Sequence, residues 1–148
     1  MAAAVDLVDA YVSALPGATR RLAHAEWGIT VAPDAMVGHP LDVGLRIADG
    51  LLRAQAYALP AREGVNPWNL LHWNRGTRLV RFACTRAGDI WIHGELPVDA
   101  VDERGVDRLL GLVAEAARSV REYAHGLDAE PDDGLGQGWL GTPQPGAA

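Results

Sequence analysis

Asp49-Gly50 sits between two runs of alternating residues, and this pair constrains the fold more than any other feature of the chain. Asp and Gly both tolerate the positive φ of a type I′ turn, whose twist matches that of the strands it joins. Before it, Val43, Leu45 and Ile47 alternate with Gly44, Arg46 and Ala48. After it, Leu52, Ala54, Ala56 and Ala58 alternate with Leu51, Arg53, Gln55, Tyr57 and Leu59. The pattern predicts a hairpin over 42–58. Alternation of this kind fixes the register, because a slip of one residue would turn the apolar set outward.

The rest of the chain reads around that hairpin. Residues 3–15 carry Val5, Leu7, Val8, Tyr11, Val12 and Leu15 at helical spacing, and Pro16-Gly17 ends the run. Residues 24–32 alternate as a strand, with Trp27, Ile29 and Val31 on the core face. Pro33, Gly38 and Pro40 break the chain before the hairpin. A short helix is predicted over 67–75, capped by Asn66, opened by Pro67 and stopped by Gly76. Residues 77–96 form a second hairpin, turning at Arg86-Ala87-Gly88-Asp89. Val80, Phe82 and Cys84 share its core face; Ile90 and Ile92 alternate with Trp91, His93 and Glu95. A last helix is predicted over 102–125, with Val106, Leu109, Leu110, Val113, Ala116, Ala117, Val120 and Tyr123 along one side. Asp107, Arg108, Glu115, Arg118, Arg121 and Glu122 are read as its solvated side, and Gly126 as its stop. The order α-β-β-β-α-β-β-α predicts an α+β fold, a five-stranded antiparallel sheet with helices packed on one face.

Length and charge narrow the class. A chain of 148 residues with 49% hydrophobic and 22% charged residues suits one folded domain. No run approaches the roughly 20 apolar residues of a membrane span. The net charge is −6. Asp128, Glu130, Asp132 and Asp133 account for four of those charges, so residues 1–127 are close to neutral. Neither part looks like a nucleic-acid binder: the arginines form no stripe, and lysine is absent. The domain is read as residues 1–127, followed by a flexible acidic Gly/Pro-rich tail over 128–148. The single cysteine forms no internal disulfide, and Met1-Ala2-Ala3-Ala4-Val5-Asp6 has no basic start, so the expected location is the cytoplasm.

Three stretches resemble the YbjN family, which shares the fold of type III secretion chaperones. They are Asp49-Gly50-Leu51-Leu52-Arg53-Ala54-Gln55-Ala56, Asn66-Pro67-Trp68-Asn69-Leu70-Leu71, and Leu79-Val80-Arg81-Phe82-Ala83 with Gly88-Asp89-Ile90-Trp91-Ile92 and Gly94-Glu95-Leu96-Pro97. The last strand and its Glu-Leu-Pro step are similar to those of actinobacterial members. The resemblance covers roughly residues 3–125. It implies a type III secretion chaperone-like fold and a sensory-transduction regulator or chaperone-like protein. The related chaperones are small, acidic, cytoplasmic homodimers that bind extended client segments.

No catalytic motif accompanies the fold. The five histidines are widely spaced and Cys84 has no partner, so neither a metal site nor any cofactor is expected. Cys84 alternates with Val80 and Phe82 and is placed in the core rather than at a reactive site. His93 and Glu95 share a strand face with Arg81 opposite, a set that reads first as a solvated polar patch and otherwise as groups that bind a metal or do acid–base work. Gly134-Leu135-Gly136-Gln137-Gly138 lacks the strand and helix of a phosphate loop.

The tryptophans are the distinctive feature. Trp27 is assigned to the core. Trp68 and Trp73 are five residues apart on a short helix, about 140° around its axis, so that helix buries one more easily than both. Trp91 points to the sheet face opposite Ile90 and Ile92. Exposed aromatics are enriched at interfaces. The expected partner-binding residues are therefore Trp68, Leu71, Trp73, Arg81 and Trp91, with Trp139 and Leu140 as a docking element in the tail. The function expected is a non-enzymatic, cytoplasmic protein-binding or chaperone-like regulatory module acting as a homodimer on an unidentified protein client. The alternative is a small-molecule sensor with an aromatic pocket near Trp91, Arg81 and His93. An enzyme using His93 and Glu95 ranks last, since no nucleophile or oxyanion site accompanies them.

Overall fold

A computed structural model describes residues 1–33 and 38–129. The elements run α1 (Ala2–Ser13), β1 (Ala18–Ala23), β2 (Glu26–Val31), β3 (Leu41–Ala48), β4 (Leu51–Leu59), α2 (Pro67–Trp73), β5 (Val80–Cys84), β6 (Ile90–Pro97), a 3-10 turn (Val98–Ala100) and α3 (Glu103–Ala129). Among the described residues the strands form one sheet in the order β1-β2-β3-β4-β6-β5, antiparallel throughout. The fold is α+β as the sequence predicts, but the sheet has six strands, not five.

The additional strand is β1. Its sequence, Ala-Thr-Arg-Arg-Leu-Ala, shows no alternation, and nearly all of it is exposed on the sheet edge. The turn joining it to β2 is equally silent in the sequence. Ala25 sits there at φ 58°, a conformation in which Gly or Asn is the ordinary signal. The central hairpin follows the prediction. Asp49 and Gly50 have φ of 54° and 74°, the type I′ signature, and Leu45 faces Ala54 across β3 and β4.

α3 lies across β4, β6 and β5, while α1 lies against α3, β1 and β2. The core fills the space between them. Trp27, Leu45, Leu52, Ile92, Leu109 and Val113 are all fully buried there. Two polar ties hold α1 in place. The Trp27 indole, 1% exposed, donates to Asp9 Oδ1 at 2.9 Å, and Arg21 donates to the same oxygen at 3.1 Å. Tyr11 donates its hydroxyl to Asp107 at 2.6 Å, joining α1 to α3. Burial and that carboxylate push the Tyr11 phenol up to about 12.

Three side-chain or boundary assignments change. Arg121, expected on the solvated side of the last helix, is 4% exposed. Its guanidinium donates to the carbonyls of Ala58 (2.7 Å), His39 (2.7 Å) and Pro40 (3.3 Å), satisfying backbone acceptors beside a register shift in β4. Cys84, expected in the core, is exposed. It shares the face of Val80 and Phe82, but it is the last residue of an edge strand and opens onto a cavity under residues 61–67 instead of a helix. Gly126 does not stop the helix, which continues to Ala129 because nothing at 126 forces φ positive. The tail beyond Ala129, with Trp139 and Leu140, lies outside the described residues.

Candidate protein-binding surface

α2 is held to the domain by one flank and displays the other. Asn66 caps it, accepting from the Trp68 backbone N–H at 3.0 Å, and Pro67 opens the first turn. On the inner flank Leu70 is buried, and Asn69 donates to the Tyr123 hydroxyl of α3 at 3.2 Å. Trp73 closes the inner flank, with ring centroids 5.8 Å from Phe82 and 5.3 Å from Tyr123, both edge-on. The outer flank carries Trp68 and Leu71, three positions apart on one face and 69% and 57% exposed. The five-residue spacing of the two tryptophans thus resolves as one packed and one displayed.

The chain leaving α2 seals the edge of the sheet. Asn74 donates from Nδ2 to the Phe82 carbonyl at 3.0 Å and accepts the Phe82 N–H on Oδ1 at 2.7 Å. Its side-chain amide therefore occupies the hydrogen-bonding positions that a seventh strand would use on β5 at Phe82. Between α2, β5 and α3 lies an open groove of about 800 Å³, with Trp73, Val80, Phe82, Leu112 and Ala116 among its walls and the exposed Arg75, Arg78 and His72 in its lining.

The second surface is the sheet face away from the helices. Tyr57 and Trp91 are register partners on β4 and β6, with ring centroids 5.3 Å apart in edge contact. Trp91 is half-buried by this contact, and the His93 ring lies 6.3 Å from it. Arg81 pairs with Glu95 at 2.6 Å and stands opposite His93 in the β5–β6 register. Burial, then the positive charges of Arg81 and Arg53, hold the His93 imidazole below its usual value, and Glu95 only partly opposes them. His93 thus lies on a polar patch beside the ion-paired Arg81 and Glu95.

The predicted site residues therefore fall into two groups. Trp68, Leu71 and Trp73 belong to α2, while Arg81 and Trp91 belong to the open sheet face, and the fold does not merge them into one site. The aromatic pocket proposed around Trp91, Arg81 and His93 has no counterpart in the cavity under the 61–67 loop. That cavity, about 360 Å³, is lined by residues such as Val65, Cys84 and Ile90 on the helix side of the sheet. Sequence reasoning missed Tyr57 as the partner of Trp91, because the pairing joins β4 to β6, strands of two different hairpins, and missed Asn74, for which the sequence offers no signal. Among the described residues, no group of three His, Cys, Asp or Glu side chains is placed to hold a metal, and no helix is long and apolar enough to cross a membrane.

The fold is similar to those of chains in one chaperone–effector complex and two type III secretion complexes. One chain from the HopA1–SchA chaperone–effector complex superposes with a TM-score of 0.61 at 13% identity, covering 79% of this chain and 91% of its own. One from the complex of the Yersinia pestis type III secretion chaperone SycH with a fragment of YscM2 gives a TM-score of 0.57 at 14% identity, covering 78% of this chain and 98% of its own. One from the ExoU–SpcU heterodimer of the Pseudomonas aeruginosa type III secretion system gives 0.50 at 16% identity, covering 64% of this chain and 80% of its own. These likenesses establish a shared fold. No curated protein matches the chain in sequence. Residues 41–125, from β3 to the last turns of α3 and including α2 and the Tyr57–Trp91 pair, match the YbjN family, described as "Putative bacterial sensory transduction regulator", and the chain belongs to that family.

Proposed function

We propose that this protein is a non-enzymatic, cytoplasmic, chaperone-like regulator that binds a protein client and works as a homodimer. The observation that carries the reading is the outer flank of α2. Trp68 and Leu71 stand exposed on a helix whose other flank is fully engaged by Leu70, Asn69 and Trp73. Large apolar side chains presented together on an anchored element suit an interface better than a solvent-facing surface. Self-association is assigned to this flank. The client segment is assigned to the open face around Tyr57, Trp91 and Arg81, where aromatic area lies beside polar groups that orient a backbone. Membership of a family described as sensory regulators and the fold shared with chaperone complexes support a role in recognising other proteins.

Sedimentation equilibrium of the purified chain tests the first half. The wild type is expected to sediment as a dimer and the Trp68→Ser, Leu71→Ser variant as a monomer with unchanged circular dichroism. A wild type that stays monomeric at high concentration removes the homodimer. Capture from native cytosol, followed by rebinding of the purified candidate to wild type and Trp91→Ser, tests the second. Loss of rebinding in the variant supports the client face, and equal rebinding moves the client elsewhere.

A further inference from the structure

The groove between α2, β5 and α3 is apolar within and carries cationic side chains in its exposed lining. Trp73, Val80, Phe82, Leu112 and Ala116 offer the apolar wall. Arg75, Arg78 and His72 are exposed members of the lining, and Glu115, also exposed, is its one carboxylate. A matching occupant has an acidic stretch joined to a short apolar element.

The chain itself supplies such a segment. Beyond Ala129, Glu130, Asp132 and Asp133 put three carboxylates into four residues, and Trp139-Leu140 follows as the large apolar pair of the region. The attachment point is also suitable. α3 forms one wall of the groove through Leu112 and Ala116 and ends at Ala129. Near that end Leu127 packs against Gly64, within 3.4 Å of a β-carbon built there, so the chain leaves the domain beside the loop that leads into α2. From Ala129 back to the level of Ala116 is thirteen residues of helix, about 20 Å at ~1.5 Å per residue. The ten residues from Ala129 to Trp139 span up to about 33 Å at ~3.3 Å per residue. The segment is therefore long enough to reach the groove.

We infer that this groove is a docking site for the chain's own segment around Trp139-Leu140, seated apolar side inward and steered by the acidic stretch that precedes it. The inference is independent of the dimer and client assigned above: it concerns a different flank of α2, and it holds for a monomer.

Paramagnetic broadening in the full chain tests it. A nitroxide is attached at residue 141 by Gly141→Cys in a Cys84→Ser background, and backbone amide intensities are read with the label oxidised and reduced. The expected result is at least a halving of intensity at Thr77, Val80 and Ala116, with little change at Gly44 and Arg53 on the open face. Adding Trp139→Ser and Leu140→Ser restores the intensities, while Arg75→Glu and Arg78→Glu together weaken the broadening. A mixture of labelled unenriched chain with unlabelled nitrogen-15 chain identifies the donor of the segment. Broadening at the groove amides in that mixture means that a second copy fills the groove, which overturns the intramolecular site. Absence of broadening at the groove amides, or broadening unaffected by Trp139→Ser and Leu140→Ser, overturns it as well.

Discussion

Leu109 of α3 rests on the backbone of Gly94 in β6: a β-carbon on Gly94 would lie 2.8 Å from Leu109 Cδ1. The same position would lie 2.8 Å from Val80 Cγ1 and 3.0 Å from the Leu79 carbonyl. Glycine is thus required where α3 crosses β6. Gly94→Ala is expected to lower stability by about 1–3 kcal/mol, as overpacking of a filled core does, because the backbone oxygen cannot rotate away. Urea unfolding measures it, and a midpoint equal to the wild type's refutes the crossing as the reason for this glycine.

Asp9 holds two donors from different strands, the Trp27 indole and the Arg21 guanidinium. The indole is the one that matters energetically, since Trp27 is buried and has no water to turn to. Asp9→Ala is expected to cost about 1–3 kcal/mol for an unsatisfied buried donor. Asp9→Asn keeps an acceptor oxygen and is expected to lose less. Thermal unfolding of the two variants side by side gives the comparison.

His93 has its pKa lowered in the folded protein by burial and by Arg81. The unfolded chain therefore binds the proton first as pH falls, and stability declines through the window from about 6.5, the ordinary histidine value, down to the lowered folded value. Above that window both states are neutral at this residue and the contribution is flat. His93→Gln removes this part of the pH dependence. Arg81→Ala takes away a positive neighbour and leaves Glu95, so the His93 midpoint is expected to rise in a proton NMR titration.

Arg121 binds the carbonyls of Ala58, His39 and Pro40 through separate nitrogens of one planar group. A lysine carries a single ammonium and cannot serve Ala58 and His39 in the same geometry. Arg121→Lys is expected to cost about 1–3 kcal/mol, with hydrogen exchange accelerated at His39, Leu41, Ala58 and Leu59 ahead of the rest of the sheet. Uniform acceleration across all strands would show that the arginine supports the core generally and not the loop before β3.

Trp68 and Trp73 should separate cleanly in stability. Trp68→Ala removes an exposed ring and is expected to stay within about 0.5 kcal/mol of the wild type at concentrations where the chain is monomeric. Trp73→Ala empties the contact with Phe82 and Tyr123 and is expected to cost roughly 3 kcal/mol. Chemical denaturation of both variants decides it.

The parts of this fold legible in the sequence are those where local chemistry and tertiary packing agree. Asp49-Gly50 needs the turn it makes, and Ile90 and Ile92 alternate because one face of β6 is covered. β1 was hidden because an edge strand with most of its residues in solvent has no reason to alternate, and Ala25 adopts positive φ under tertiary constraint rather than by preference. Arg121 was misread because charge outweighed position. It follows Val113 and Ala117 at four-residue spacing, on the stripe that faces the sheet. For the candidate surface, the tryptophan spacing on α2 predicted one ring inside and one outside. The identity of the buried ring depended on Tyr123, fifty residues further along the chain.

The amide of Asn74 on Phe82 has a consequence for growth into fibres. An open strand edge is a template on which identical chains add without limit. Here one side chain stands in for the next strand at the middle of β5, while the opposite edge carries Arg20 and Arg21 and an irregular register. The sheet is thus terminated at both ends by different chemistry, charge on one side and mimicry on the other. A chain adding to β5 would have to displace the Asn74 amide from Phe82, so Asn74→Ala is expected to raise the tendency of the sheet to extend at that edge.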